Sequence, residues 1–186
     1  MGFDKSLASL GGQFLLDIIA GKLLVVFDSV KLCAPSPEKF AELDYEIIKD
    51  SGDGAASAIF SILSQARCNY VFVVACDMPF INPQHIECMK THILEKTPRP
   101  DALIPVNGAH FEPLYGFYSV SAAPVFSKEL SKGRRKILDI LGCCNPAYFE
   151  EHHSRMIDRN LRMFTNLNYR EDFDKALEEI HRRHLE

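Results

Sequence analysis

Apolar runs of strand length alternate along this chain with longer segments whose apolar residues recur at helical spacing. Phe14, Leu15, Ile18, Ile19, Leu23 and Leu24 follow Gly11 and Gly12 as one helix face. Residues 29–34 read as a strand ended by Pro35 and Pro37, and residues 45–48 as a second short strand that delivers Lys49 and Asp50. Residues 51–54 form a loop, and 55–65 have helical composition. Residues 70–76 are the clearest element: continuously apolar and rich in β-branched side chains, they predict a strand buried on both faces. A helix is predicted from about Pro83 to Leu94, capped by Asn82, with Pro83 suited to its first turn. Strands follow at 102–106 and 114–118, helices at 121–130 and 136–141, and a last short strand at 163–165. Phe173, Leu177 and Ile180 mark one side of a closing amphipathic helix over 171–184. This alternation predicts a single α/β domain over residues 1–186, three-layered α/β/α, with a mainly parallel, Rossmann-like sheet.

Composition narrows the picture. The chain has 186 residues, 47% hydrophobic and 25% charged, which suits a sizeable core and excludes a disordered, collagen-like or coiled-coil chain. No run approaches the roughly 18 apolar residues of a membrane span. A net charge of −4 argues against bulk nucleic-acid binding. Cys33, Cys68, Cys76, Cys88, Cys143 and Cys144 form no C-x-x-C pair, and several sit in apolar runs, which points to a reduced, cytoplasmic protein.

In open α/β sheets ligands bind beyond the carboxyl ends of the strands. Asp77 emerges there, before Met78 and Pro79. Two readings stand: a ligand for a hard cation such as Mg²⁺, or a turn residue. Asp50 follows a strand as well, placed to receive a base, ribose or metal, or to begin the 51–54 turn. Lys5 sits in a short polar stretch after Gly2, either opposite a phosphate or on the surface. Asn166 and Asn168 point the same way if the chain is extended, toward a phosphate or metal-bound water, or else toward the entry of the last helix. Arg134, within the basic stretch 133–136, suits an anionic substrate or a solvated helix start. His85, Cys88 and His92 share a helix side, but a zinc site needs a further ligand. Residues 152–153, a pair of histidines, read as loop.

Five segments in order resemble the molybdenum cofactor guanylyltransferases, the MobA-like nucleotidyltransferases. Residues 1–7 look like the end of the signature Leu-x-Gly-Gly-x-Ser-x-Arg-Met-Gly-x-Asp-Lys, and 10–16 like the segment after it. Residues 75–80 resemble the Cys-Asp-x-Pro metal-binding segment, 112–118 the Glu-Pro-Leu-x-x-x-Tyr stretch, and 164–172 the Asn-x-Asn-x-x-Glu-Asp ending. The chain opens inside the signature, without the family's first strand and glycine-rich loop. Where the family has Gly-Pro-Leu-x-Gly after its aspartate, this chain has residues 57–61, Ser57 to Ser61, so guanine-side contacts made there do not carry over. The family's Asn after the second strand is not evident near Cys33. The resemblance implies transfer of GMP from GTP to a molybdopterin phosphate with release of pyrophosphate. It implies Mg²⁺ on Asp77, nucleotide phosphates on Lys5, nucleotide on Asp50, and the pterin phosphate near Asn166 and Asn168. Implied partners are GTP, molybdopterin, and molybdoenzymes or other cofactor-synthesis proteins. Rival expectations are CMP transfer to molybdopterin, a sugar-phosphate nucleotidyltransferase, or a non-catalytic binding protein without a phosphate loop.

Overall fold

The structure, a computed structural model, describes residues 9–10, 13–50, 52–168, 172 and 176. Lys5, Gly11, Gly12 and most of the predicted closing helix lie outside them. In chain order the strands are β1 (Ser9–Leu10), β2 (Gln13–Phe14), β3 (Lys31–Ala34), β4 (Glu46–Lys49), β5 (Tyr70–Val74), β6 (Ala102–Asn107), β7 (His110–Phe111), β8 (Tyr115–Ser119) and β9 (Pro146–Phe149). The helices are α1 (Leu15–Leu23), α2 (Ala55–Gln65), α3 (Pro83–Glu95), α4 (Ala123–Ser131), α5 (Ile137–Leu141) and α6 (Glu151–Ile157).

β3 and β4 pair in parallel. The larger sheet runs β5-β8-β6-β7, with β9 on the other side of β6. β8 is antiparallel to both β5 and β6, and β9 is parallel to β6, so β5, β6 and β9 share one direction and β8 opposes it. Their carboxyl ends, including the end that leads into Asp77, therefore lie along one edge.

Side chains alternate across the sheet, and each face builds its own core. Leu103, Tyr115 and Phe117 join Leu15 and Ile19 of α1 and Ile86, Met89 and Ile93 of α3 on one face. Val73, Ala102, Ile104 and Tyr118 join Ala56, Ile59 and Leu63 of α2, Phe126 of α4 and Ile140 of α5 on the other. Helices on both faces of a sheet make the three layers that the alternation predicts. A third, smaller cluster of Leu16, Ala34 and Phe40, with Cys76 and Ile47 packed against it, ties β3 and β4 to the end of β5.

The larger sheet is mixed where a mainly parallel one is expected, three of its four pairings being antiparallel, and three further sequence expectations differ from the structure. β5 is not buried on both faces: only Val73 is buried, and its other residues are half-buried. Among the described residues it pairs along one edge only, with β8, which leaves its flank partly open. Residues 162–164 form a 3₁₀ turn rather than a strand. Leu161 enters it at φ 52°, which turns the chain, and neighbouring Met163 and Phe164 are both buried, a pattern a half-buried strand cannot produce. The histidine pair at 152–153 lies on α6, not in a loop. Among the described residues, no helix is long and apolar enough to cross a membrane.

Candidate active site

The chain leaves β5 through Ala75, whose N–H bonds the Leu114 carbonyl at 3.0 Å, and turns so that the Met78 N–H reaches the Ala75 carbonyl at 3.3 Å. Asp77 sits on that turn, half-buried, while Met78 and Ile81 are 1% and 2% exposed and pin the loop to the core. Asn82 then ends it, its side chain accepting from the N–H groups of Gln84 and His85 as the cap of α3. Two cations brace the same loop. Lys22 at the end of α1 donates to the Pro79 carbonyl at 2.6 Å, and the Arg162 guanidinium lies 4.9 Å from the Phe80 ring centre.

The decisive link is nonlocal. The Leu167 N–H donates to the Asp77 carbonyl at 2.8 Å. Leu167 is buried, while Asn166 and Asn168 on either side of it are exposed, the alternation expected of extended chain. The structure thus brings the asparagine pair alongside Asp77. Asn168 is further fixed by its N–H, which donates to Asp172 at 2.9 Å.

Asp50 forms a second corner. Its N–H donates to the Ala34 carbonyl at 2.9 Å, at the end of the β3–β4 pair. Its carboxylate is only 8% exposed and is held through Oδ1, which accepts from the Ser57 hydroxyl at 2.7 Å, the Gly52 N–H at 3.1 Å and the Ser61 hydroxyl at 3.4 Å. Burial, with the Asp50 charge adding to it, pushes the nearby Cys33 thiol up to about 11. The two acids flank one small cluster: Cys76, next to Asp77, packs on the group containing Ala34, whose carbonyl takes the Asp50 N–H.

Other sequence candidates fall elsewhere. Arg134 pairs with Glu129 at 3.1 Å and approaches the Cys143 sulfur at 3.1 Å, between α4 and α5. The hydrogen bond from Lys132, aided by Arg134, holds the Glu129 carboxyl below its usual range. His85 is fully buried and bonds the Ser154 hydroxyl at 2.9 Å, while Cys88 is exposed. Among the described residues, no three His, Cys, Asp or Glu side chains gather to hold a metal. Hollows of about 470 Å³ beside Tyr70 and Arg99, and about 490 Å³ between α3 and α6, lie away from Asp77. Sequence reasoning missed Ser57, Ser61, Lys22 and Arg162. A signal existed for the serines, which stand one helical turn apart just after Asp50.

Comparison with known proteins fits this geometry. A probable molybdenum cofactor guanylyltransferase of Peptoclostridium acidaminophilum is 32% identical over 178 residues, 92% of this chain and 80% of that protein. A molybdenum cofactor guanylyltransferase of Syntrophotalea carbinolica is 32% identical over 177 residues, 94% of this chain and 83% of its own length. The crystal structure of molybdopterin-guanine dinucleotide biosynthesis protein A from Archaeoglobus fulgidus superposes with a TM-score of 0.83 at 28% identity, covering 97% of this chain and 92% of that one. A Thermus thermophilus 2-C-methyl-D-erythritol 4-phosphate cytidylyltransferase, at 14% identity and TM-score 0.66 over 95% and 94% of the two chains, shares the fold alone. The model of the MobA-like NTP transferase domain matches residues 1–152. That span contains Asp50 and Asp77, and this chain is a member of the MobA-like NTP transferase family.

Proposed function

We propose that this chain transfers GMP from GTP to the terminal phosphate of molybdopterin. An acceptor phosphate oxygen attacks the α-phosphorus of GTP, a new P–O bond forms, the bond from that phosphorus to the α–β bridging oxygen breaks, and pyrophosphate leaves. The attacking oxygen is already anionic near neutral pH, so no side chain need act as general base. The difficulty is charge: two polyanions must meet and a third must depart. In such transfers, positioning and electrostatic stabilisation supply nearly all of the catalysis.

The residues divide that work. Asp50 receives the nucleotide. Lys5 meets the nucleotide phosphates. Asn166 and Asn168, with amide groups that donate and accept, address the acceptor phosphate beside Asp77. The donor set fits Mg²⁺: a half-buried carboxylate on a loop bonded to the segment that carries Asn166 and Asn168, and no cluster of His, Cys or further carboxylates among the described residues. That is the pattern of a cation completed by phosphate oxygens and water, with Asp77 as its protein ligand. When bound, Mg²⁺ neutralises phosphate charge.

The observation that supports this reading is the hydrogen bond from the Leu167 N–H to the Asp77 backbone carbonyl, which runs the segment carrying both asparagines beside the Asp77 loop. The test is pyrophosphate release from GTP, Mg²⁺ and molybdopterin. Turnover with GTP and little with CTP is expected; equal or better turnover with CTP overturns the guanylyl assignment.

A further inference from the structure

We propose that Ser57 and Ser61 are positioning residues that lock the Asp50 carboxylate so that a single oxygen, Oδ2, is offered to the nucleotide, and that this lock sets the preference for guanine. The inference rests on the GTP reading above and deepens it.

Three donors converge on Oδ1: two hydroxyls and one backbone N–H, at 2.7, 3.4 and 3.1 Å. Every hydrogen bond that the described residues make to this carboxylate falls on that one oxygen. Both serines are themselves buried, at 6% exposure each, so these hydroxyls are not shared with bulk water. They project from the same side of α2, one turn apart. Gly52 makes the arrangement possible. A Cβ there would stand 1.8 Å from the Ser57 Oγ, so only glycine lets the loop close over the serine. The backbone is pinned too, by the bond from the Asp50 N–H to Ala34. A carboxylate held in this way cannot rotate to exchange its oxygens.

Chemistry then selects the base. An anionic oxygen accepts hydrogen bonds and repels lone pairs. Guanine presents adjacent N1–H and N2–H donors on one edge. Cytosine and adenine each present one amino group beside a ring nitrogen that is an acceptor, which a carboxylate disfavours.

The test measures Kd by calorimetry with Mg²⁺ and GTP, CTP or xanthosine triphosphate, alongside melting temperature. Wild type should prefer GTP. Ser57→Ala should weaken GTP about tenfold and erode the GTP-to-CTP ratio by a similar factor, since a buried hydrogen bond to a charged group is lost. Ser61→Ala, at the longer distance, should do the same to a smaller degree. Asp50→Asn is the sharper probe. With Oδ1 claimed by three donors, the new amide must place its NH₂ where Oδ2 stood, which reverses the preference toward xanthosine triphosphate, whose C2 carries a carbonyl. In Asp50→Asn/Ser57→Ala/Ser61→Ala the amide is free to flip and the reversal should collapse. A wild type that binds no GTP overturns the guanylyl reading itself. Wild-type binding of GTP, with an unchanged GTP-to-CTP ratio in both serine variants or a reversal that survives their loss, overturns the lock alone.

Discussion

The two acid corners are built in different ways. At Asp50 the side chain is the fixed part: one carboxylate oxygen takes three donors supplied by α2 and the loop before it. At Asp77 the backbone is the fixed part: its carbonyl takes the Leu167 N–H, and the loop beyond it is braced by Lys22, Arg162 and the α3 cap. On the proposed roles, a corner that recognises a neutral base edge gains from a carboxylate whose direction is set in advance, and a corner that shares a cation with moving phosphates gains from a carboxylate on a firmly seated loop. The difference predicts that damage at Asp50 appears in nucleotide binding, and damage at Asp77 in the rate.

The largest effect that can break this contrast is Asp77→Ala. Turnover should fall by about 10²–10³-fold, the cost of losing one electrostatic stabiliser of the transition state, while GTP affinity changes much less. Asp50→Ala should show the converse, a raised KM for GTP with a smaller loss in kcat. Steady-state kinetics on the two variants decides it; matching profiles would erase the distinction between the corners.

Next in size is a pH effect confined to one corner. His85 is fully buried, bonds Ser154, and sets its ring against Tyr115, Phe149 and Phe164, the last just ahead of the asparagine pair. Burial, offset in part by the Asp158 charge, drives its pKa down to about 4 from 6.5. The folded state thus holds the neutral ring while the unfolded chain protonates. The stability tied to neutral His85 is complete above about pH 6.5 and is lost as pH falls toward 4, by roughly 3 kcal/mol over that window. Urea unfolding at pH 7 and pH 4.5 should show this loss, and His85→Gln should flatten it. Because His85 supports the chain leading to Asn166, acid should also raise hydrogen exchange at residues 164–168 before it does so around Ser57.

A third, smaller effect probes the other corner. In Gly52→Ala the new Cβ would meet Ser57 Oγ at 1.8 Å and Ser57 Cβ at 2.6 Å, so Ser57 must give way. GTP affinity should fall by about tenfold, as a buried hydrogen bond to Asp50 is broken, with kcat near wild type. Intact GTP affinity would mean that the loop yields elsewhere and that Ser57 does not depend on glycine.

What the sequence made legible was local. Strand–helix alternation, the Asn82 cap, the place of Asp77 beyond a strand and the alternation at 166–168 are each written within a few neighbouring residues, and the structure keeps them. What it hid depends on distant pairing. β9 was invisible because Pro146 masks a four-residue strand whose partner, β6, lies some forty residues earlier. α6 was invisible because only Ser154 of its residues is buried, which leaves no apolar period to read. The Asp50 lock was half visible: the serine spacing is in the sequence, but their aim at Asp50 exists only after the chain reverses through Gly52 and Gly54.

The smallest effect sharpens the contrast most cheaply. Asn82 ends the Asp77 loop and accepts from two N–H groups of α3 at 2.9 and 3.3 Å. Asn82→Ala should cost about 1 kcal/mol of stability, the usual worth of a side-chain cap. If the Asp77 corner works through a firmly seated loop, this variant should also lower kcat by a small factor and leave the KM for GTP unchanged, because nothing in the Asp50 lock touches α3. A thermal melt and a kinetic titration on the same sample separate the two contributions. A stability loss with wild-type kcat would mean that Leu167, Lys22 and Arg162 hold the loop without the cap, and that its far end can fray without cost to the reaction.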